Sequence, residues 1–219
     1  MPVPLDAIRA IHNAFRNDMA EVDKTASAAA HGRGDSALVL KRYKFFNEGL
    51  VWHAVAEEKF VFPAMEKVAP LVSQPYEQDH RGLDSLYERL GAAIDSNDLI
   101  ETARTTAASK FHLDIHLFKE DSHLYRILSE KIPLPEQAAI IGNMAHEVPQ
   151  QRYGEFATWL ITFTGFEDRE NMTRIWLQFL PPPAFAAIAG LIRTASGSDW
   201  VKLTERVPEL KLAVKSQSA

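Results

Sequence analysis

Along the first 131 residues, apolar side chains recur at alternating steps of three and four, in four separate runs. That period marks one face of an amphipathic α-helix. The first run extends from about Leu5 to Ala29, with the stripe Leu5, Ile8, His12, Phe15, Met19 and Val22. His31-Gly32-Arg33-Gly34-Asp35 interrupts it, and Asp35 or Ser36 is suited to cap a following helix. The second runs from about Ala37 to Val68, with Tyr43, Phe46, Leu50, His53, Glu57, Phe60 and Ala64 in line. After a break at Pro70, the third runs from about Gln74 to Ile94 through Tyr76, His80, Leu83, Tyr87 and Leu90. Asp95-Ser96-Asn97-Asp98 ends it. The fourth runs from about Leu99 to Lys131 through Ser109, Leu113, His116, Glu120, His123 and Ile127, and Ile132-Pro133 closes it. No alternation of polar and apolar residues marks a strand. The expected fold class is therefore all-α. Four helices joined by short loops make an up-down-up-down four-helix bundle, here over residues 1–132.

Residues 133–219 are less regular. Short helices are expected at Pro135–Val148, Gln150–Gly165, Asp168–Phe179 and Ala184–Thr194, with Pro181-Pro182-Pro183 as a hard break. Tyr153, Phe156, Trp159, Leu160 and Trp176 make this stretch rich in large apolar side chains. The expectation is a helical extension packed on the bundle, with a disordered tail at Lys215–Ala219.

Composition narrows the chemistry. The 219 residues contain no cysteine, which rules out disulfides, thiolate nucleophiles, iron–sulfur clusters and cysteine-ligated zinc. The formal net charge of −5 argues against a general nucleic-acid binder. The N-terminus lacks a basic region followed by an apolar run, and no stretch reaches the length of a membrane span. The expected location is the cytoplasm, with no nucleic-acid or membrane partner. A protein partner or a second copy of the chain would meet the C-terminal region.

The polar members of the stripes carry the chemistry. A histidine or glutamate at a seam position faces the core, where an unpartnered charge is costly. Helix two contains His53-Ala-Val-Ala-Glu57-Glu58, and helix four contains His116-Leu-Phe-Lys-Glu120-Asp121: a histidine, three residues, then two acids. Helices one and three echo each other more loosely, as His12-Asn-Ala-Phe15 and His80-Arg-Gly-Leu83. Residues four apart lie one turn apart on one helix face. The histidine can then take a terminal position on one metal ion while the carboxylate bridges two, and imidazole suits iron, zinc and copper. Depth agrees. At about 1.5 Å per residue from the shared end of the bundle, His12 and His80 fall roughly 10–12 Å in, Glu57 and Glu120 roughly 16 Å, and His53 and His116 roughly 22 Å. His123 falls at roughly 12 Å, inside this layer, and His112 at roughly 28 Å, outside it.

His12, His53-xxx-Glu57, His80 and His116-xxx-Glu120, together with Glu57-Glu58-Lys-Phe-Val-Phe-Pro63, resemble the hemerythrin-like, or HHE cation-binding, family. The resemblance covers about residues 5–131. It implies a non-haem centre of two iron ions, oxo- or hydroxo-bridged, with no haem. It also implies metal ligands His12, His53, Glu57, His80, His116 and Glu120, with Glu57 and Glu120 bridging. Family members bind dioxygen, sense oxygen or iron, or handle peroxide or nitric oxide.

Two departures matter. Oxygen-carrying members have two histidines four apart on helix three, and the second position here is Asp84. Their last motif has four residues between histidine and aspartate, whereas three separate His116 from Glu120. Asp84, His123, His112 or a solvent molecule are the candidates for the missing ligand. The expectation is a protein that binds and reacts with a small oxidant (dioxygen, hydrogen peroxide or nitric oxide), with catalase-like turnover ahead of nitric oxide handling. The other reading is a non-catalytic sensing or partner-binding module with a structural metal site.

Overall fold

In a computed structural model, which describes residues 3–215, every regular element is a helix and no strand forms among the described residues. The expected disorder at 216–219 lies outside them, and Lys215 closes the last helix. The chain divides into two compact units, Phe15–Glu147 and Met1–Ala14 with Val148–Ala219.

Helix α1 spans Asp6–Ala30. Helix α2 is continuous from Ser36–Ala56 through a π turn at Glu57–Val61 to Phe62–Val68. Helix α3 is Gln74–Asp95. Helix α4 repeats the construction of α2: Leu99–Lys119, a π turn at Glu120–Leu124, then Tyr125–Lys131. Helix α5 is Leu134–Ala145. The boundaries have local causes. The Asp35 side chain accepts from Ala37 N–H and Asp98 accepts from Glu101 N–H, each at 2.9 Å, satisfying N-terminal amides that the helix leaves open. Asn97, at φ 54°, takes the left-handed turn between α3 and α4, a conformation asparagine tolerates. Glu66 ties the 69–73 loop by accepting from Leu71 N–H at 2.7 Å and from Ser73 N–H at 3.1 Å.

In the Phe15–Glu147 unit, α1 to α4 form the up-down-up-down bundle, and their apolar stripes meet in the middle. Phe15 packs edge-on against Phe46 at 5.7 Å between ring centres, and Phe46 meets Tyr87 at 5.9 Å. Arg42 reaches Asp18 at 3.2 Å and Arg16 reaches Asp121 at 2.6 Å, tying α1 to its neighbours.

The π turns correct the stripes read from the sequence. Each inserts one extra residue, so the inward position after the glutamate falls four residues on instead of three. In α2 this places Val61, Phe62 and Met65 inside, while Phe60, expected to line the seam, is half-buried. In α4 it places Leu124, Tyr125 and Leu128 inside and turns His123 out to solvent. Pro63 gives the first turn a local reason, since it has no N–H to donate and its ring would strike the carbonyl of residue 59 in a regular helix. Instead Phe62 N–H reaches back to the Glu57 carbonyl. The second turn forms without a proline. What the two share is a buried glutamate at the first position and a buried aromatic just beyond the last.

The other unit has its own core. Helices α6 (Tyr153–Phe163), α7 (Phe166–Phe179), α8 (Pro182–Ala195), α9 (Trp200–Arg206) and α10 (Glu209–Lys215) bury Leu160, Ile192, Leu203, Val207 and Leu210. Trp159 and Trp176 are buried as packing residues, and Trp176 Nε1–H lies 3.3 Å from the Tyr153 hydroxyl. Asn13, early in α1, donates to Asp168 at 2.9 Å.

Candidate metal centre

The seam between α2, α3 and α4 holds His53, Glu57, His80, His116 and Glu120, all buried, with both glutamates fully so. The two His-xxx-Glu motifs reproduce one geometry. His53 Nε2 is 3.3 Å from Glu57 Oε1, and His116 Nε2 is 3.3 Å from Glu120 Oε1. His80 lies between them from α3, its Nε2 3.4 Å from Glu57 Oε2 and 3.9 Å from Glu120 Oε1. Glu57, His80, His116 and Glu120 each offer one donor atom, and these four atoms lie within 4.8 Å of one another. His12 is fully buried on α1, one turn before Phe15 on the same face. Phe15 in turn lies 5.4 Å from the His53 ring.

Around these residues stand groups that orient them. His80 Nδ1 is 2.9 Å from Glu58 Oε1, and His116 Nδ1 is 3.4 Å from Asp79 Oδ2. Asp79 is held by Lys119. A carboxylate on Nδ1 selects the tautomer whose Nε2 lone pair is free toward the centre, the arrangement that metal-ligating histidines use. Tyr125 donates its hydroxyl to Glu57 Oε1 at 2.5 Å, from the position just past the second π turn. The three additional candidates are all exposed. His123 is exposed with its Nδ1 3.0 Å from the Tyr76 hydroxyl, His112 is exposed beside the Phe111 ring, and Asp84 is exposed where a narrow cleft opens between α2 and α3. That cleft is lined by Leu50, His53, Glu57, His80, Leu83 and His116.

The electrostatics favour cations. Burial, and then the charges of Glu57, Asp121 and Asp79, push the Glu120 carboxyl well above its ordinary range, with Lys119 opposing. Burial by itself would lower His80, but the nearby carboxylates of Glu57 and Glu58 outweigh that and raise it. The Tyr125 hydroxyl is pushed far up by burial and by Glu57 and Glu120. Tyr76 is pushed up to about 12 by burial and by Glu120 and Asp79. Two fully buried carboxylates side by side are unfavourable unless something positive lies between them.

Whether the donors fit a metal can be judged at His80. Its Nε2 is buried and comes no nearer than 3.4 Å to the Glu57 carboxylate, without a well-formed hydrogen bond, while its other nitrogen is already engaged by Glu58. A buried imidazole nitrogen aimed at two carboxylates is a ligand atom in need of a cation. The nitrogen and oxygen donor set suits a first-row transition metal.

The sequence reading named all five of these seam residues and gave Glu58 no separate role. It missed Asp79, whose only signal is that it precedes His80 on α3. It also gave Tyr125 no part in the site, because regular helix spacing does not aim that hydroxyl at Glu57.

Comparison with known proteins agrees with this geometry. The family described as the hemerythrin HHE cation binding domain matches residues 3–128. The chain is similar to the zinc finger protein BRUTUS of Arabidopsis thaliana, 26% identical over 177 residues that make up 78% of this chain and 14% of the relative. It is likewise 26% identical, over 173 residues, to a BRUTUS-like zinc finger protein of the same plant, covering 72% of this chain and 14% of that relative. The chain thus spans about one seventh of the length of the curated relatives it matches. No solved structure gives a significant match.

Proposed function

Since this chain belongs to the hemerythrin HHE cation-binding domain family, we propose that its buried histidine–glutamate cluster holds two iron ions and reacts with a small oxidant. The metal-binding character rests on the cluster and the family match. The observation that carries the dinuclear reading is the duplicated 3.3 Å His–Glu pair, with His80 Nε2 facing both carboxylates. In this reading the carboxylates of Glu57 and Glu120 and the imidazoles of His53, His116, His80 and His12 would hold the two ions. Iron bound there would supply one-electron chemistry toward dioxygen, peroxide or nitric oxide.

The chain's own residues then do the following. Glu58 and Asp79 hold His80 and His116 in the ligating tautomer. Tyr125 holds Glu57 by donating to its Oε1. Leu50 and Leu83 line a cleft narrow enough to admit only small molecules. Asp84, in the place of a second α3 histidine, stands at the mouth and leaves room for solvent or peroxide, as reactive metal sites do. A non-catalytic reading, in which the bundle is a metal-dependent module, is supported by the relatives, where the matching stretch is a small part of a far longer chain.

The test combines metal analysis with reactivity. Protein from iron-supplemented cells is expected to hold about two iron ions per chain and to show near-ultraviolet charge-transfer absorption. Reduced protein mixed with oxygen is expected to oxidise without recovery under vacuum, and added peroxide to be turned over with release of oxygen. One zinc per chain, or no metal, would sink the dinuclear reading. A spectrum that reverses fully under vacuum, with no oxygen evolved from peroxide, would favour the module. Glu58→Ala supplies a further check: iron affinity is expected to fall about 10–100-fold with the helical content unchanged, the scale on which partners of ligands act. An unchanged affinity would remove Glu58 from this role.

A further inference from the structure

At the other end of the bundle, about 21 Å from His53 measured along α2 to Val39, the Phe15–Glu147 unit contains a cavity of about 130 Å³. Its wall is apolar: Ala26 and Ala29 from α1, Val39 from α2, Ile94 from α3 and Leu99 from α4. Small side chains at the end of α1 leave this space, because alanines stand where larger residues would fill the seam. One polar group interrupts the wall. Thr102 on α4 is 3% exposed, and its hydroxyl is buried without a hydrogen bond. Mid-helix threonines usually return that bond to the carbonyl one turn back, as Thr106 does to Thr102 O at 2.7 Å. Ser36 and Asn97 stand at the mouth, and no Asp, Glu, Lys or Arg lines the space.

We infer that this cavity is a binding site for a small neutral molecule with a compact hydrocarbon body and one carbonyl or hydroxyl group, which Thr102 engages. Three features select that class. The volume, about 130 Å³ and open to solvent on one side, has room for a guest no larger than a small ring. A charged ligand would be buried against an apolar wall with no counter-charge. A buried hydroxyl without a partner is a standing cost that an acceptor on the guest removes. The site is independent of the metal centre.

The probe is cyclopentanone, titrated into the 219-residue chain and followed by methyl carbon–proton spectra. Saturable shifts confined to the methyl groups that line the space, those of Ala29, Val39 and Leu99 among them, are expected, with a millimolar dissociation constant. Thr102→Val keeps the shape and removes the donor, and is expected to weaken binding about tenfold, the fold-change of one hydrogen bond. Ala29→Leu fills the space and is expected to abolish the shifts while the rest of the spectrum stays in place. Absence of saturable shifts, equal binding by Thr102→Val, or a cavity whose water the ketone does not displace would each overturn the inference. Should Ala29→Leu fail to fold, the comparison of wild type with Thr102→Val still decides.

Discussion

Exchanging Glu120 for glutamine is expected to move the stability of the protein in opposite directions with and without metal. Glu120 is fully buried beside Glu57, and burial and that neighbour push its carboxyl well above the ordinary range. Without a cation, the folded chain must either take up a proton there or bury a second negative charge, and both are unfavourable. Glutamine keeps the volume and removes the charge. The metal-free variant should therefore gain about 1–3 kcal/mol over metal-free wild type, the scale of relieving one uncompensated buried polar group. With metal the order reverses. In the dinuclear reading a carboxylate ligand would be lost, so affinity should fall by at least about 100-fold, beyond the effect of changing an outer partner. Glu57→Gln should behave alike, with the Tyr125 hydroxyl now donating to a neutral amide oxygen instead of a carboxylate. His112→Ala is the control: His112 is exposed beside Phe111 and should keep full metal content. Thermal melts and metal analysis of the three variants, with and without a chelator, give the result. Glutamine variants that hold as much metal as wild type, or that are less stable than wild type when metal-free, would show that the two carboxylates are structural.

That crossover depends on a geometry only partly legible in the sequence. The pairing of His53 with Glu57 and of His116 with Glu120 needs nothing beyond the helical repeat, since four residues make one turn. The stripes of α1 and α3 hold for the same reason, and His12 and His80 are buried where the three-four spacing puts them. Beyond the glutamates the reading slips. A π turn adds a residue that hydropathy cannot register, because Phe60, Val61 and Phe62 are all apolar and any of them satisfies the pattern. His123 shows the consequence: a regular helix carries it into the seam, whereas the π turn carries it to solvent and puts Leu124 in its place. Pro63 was the one available sign in α2, and α4 has none. Partners across helices, such as Tyr125 with Glu57 or Asp79 with His116, depend on helix rotation and depth to within a residue. Periodicity alone does not supply that.

Metal removal joins these features into a dependence on pH whose sign follows from the two raised groups. Glu120 has an ordinary value of 4.5 and is raised in the folded state. His80 has an ordinary value of 6.5 and is also raised. In both cases the folded chain binds protons more tightly than the unfolded chain, so stability falls as pH rises. The contribution of Glu120 is fully present below about pH 4.5 and is lost as pH climbs toward its raised folded value. That of His80 is present below about pH 6.5 and is lost above it. The metal-free protein should therefore melt progressively lower from pH 5 to pH 8. A bound cation takes the place of those protons, and its ligands bind only when deprotonated, so affinity rises with pH. The gap between metal-loaded and metal-free melts should be small near pH 5 and widen toward pH 8. It reaches about 4 kcal/mol where free metal stands a thousandfold above its dissociation constant. Melts recorded in parallel with saturating ferrous iron under anaerobic conditions and with chelator test this directly. Parallel curves across that range would mean that the buried carboxyls and His80 do not exchange protons for metal, and the cluster would lose its claim to be the binding site.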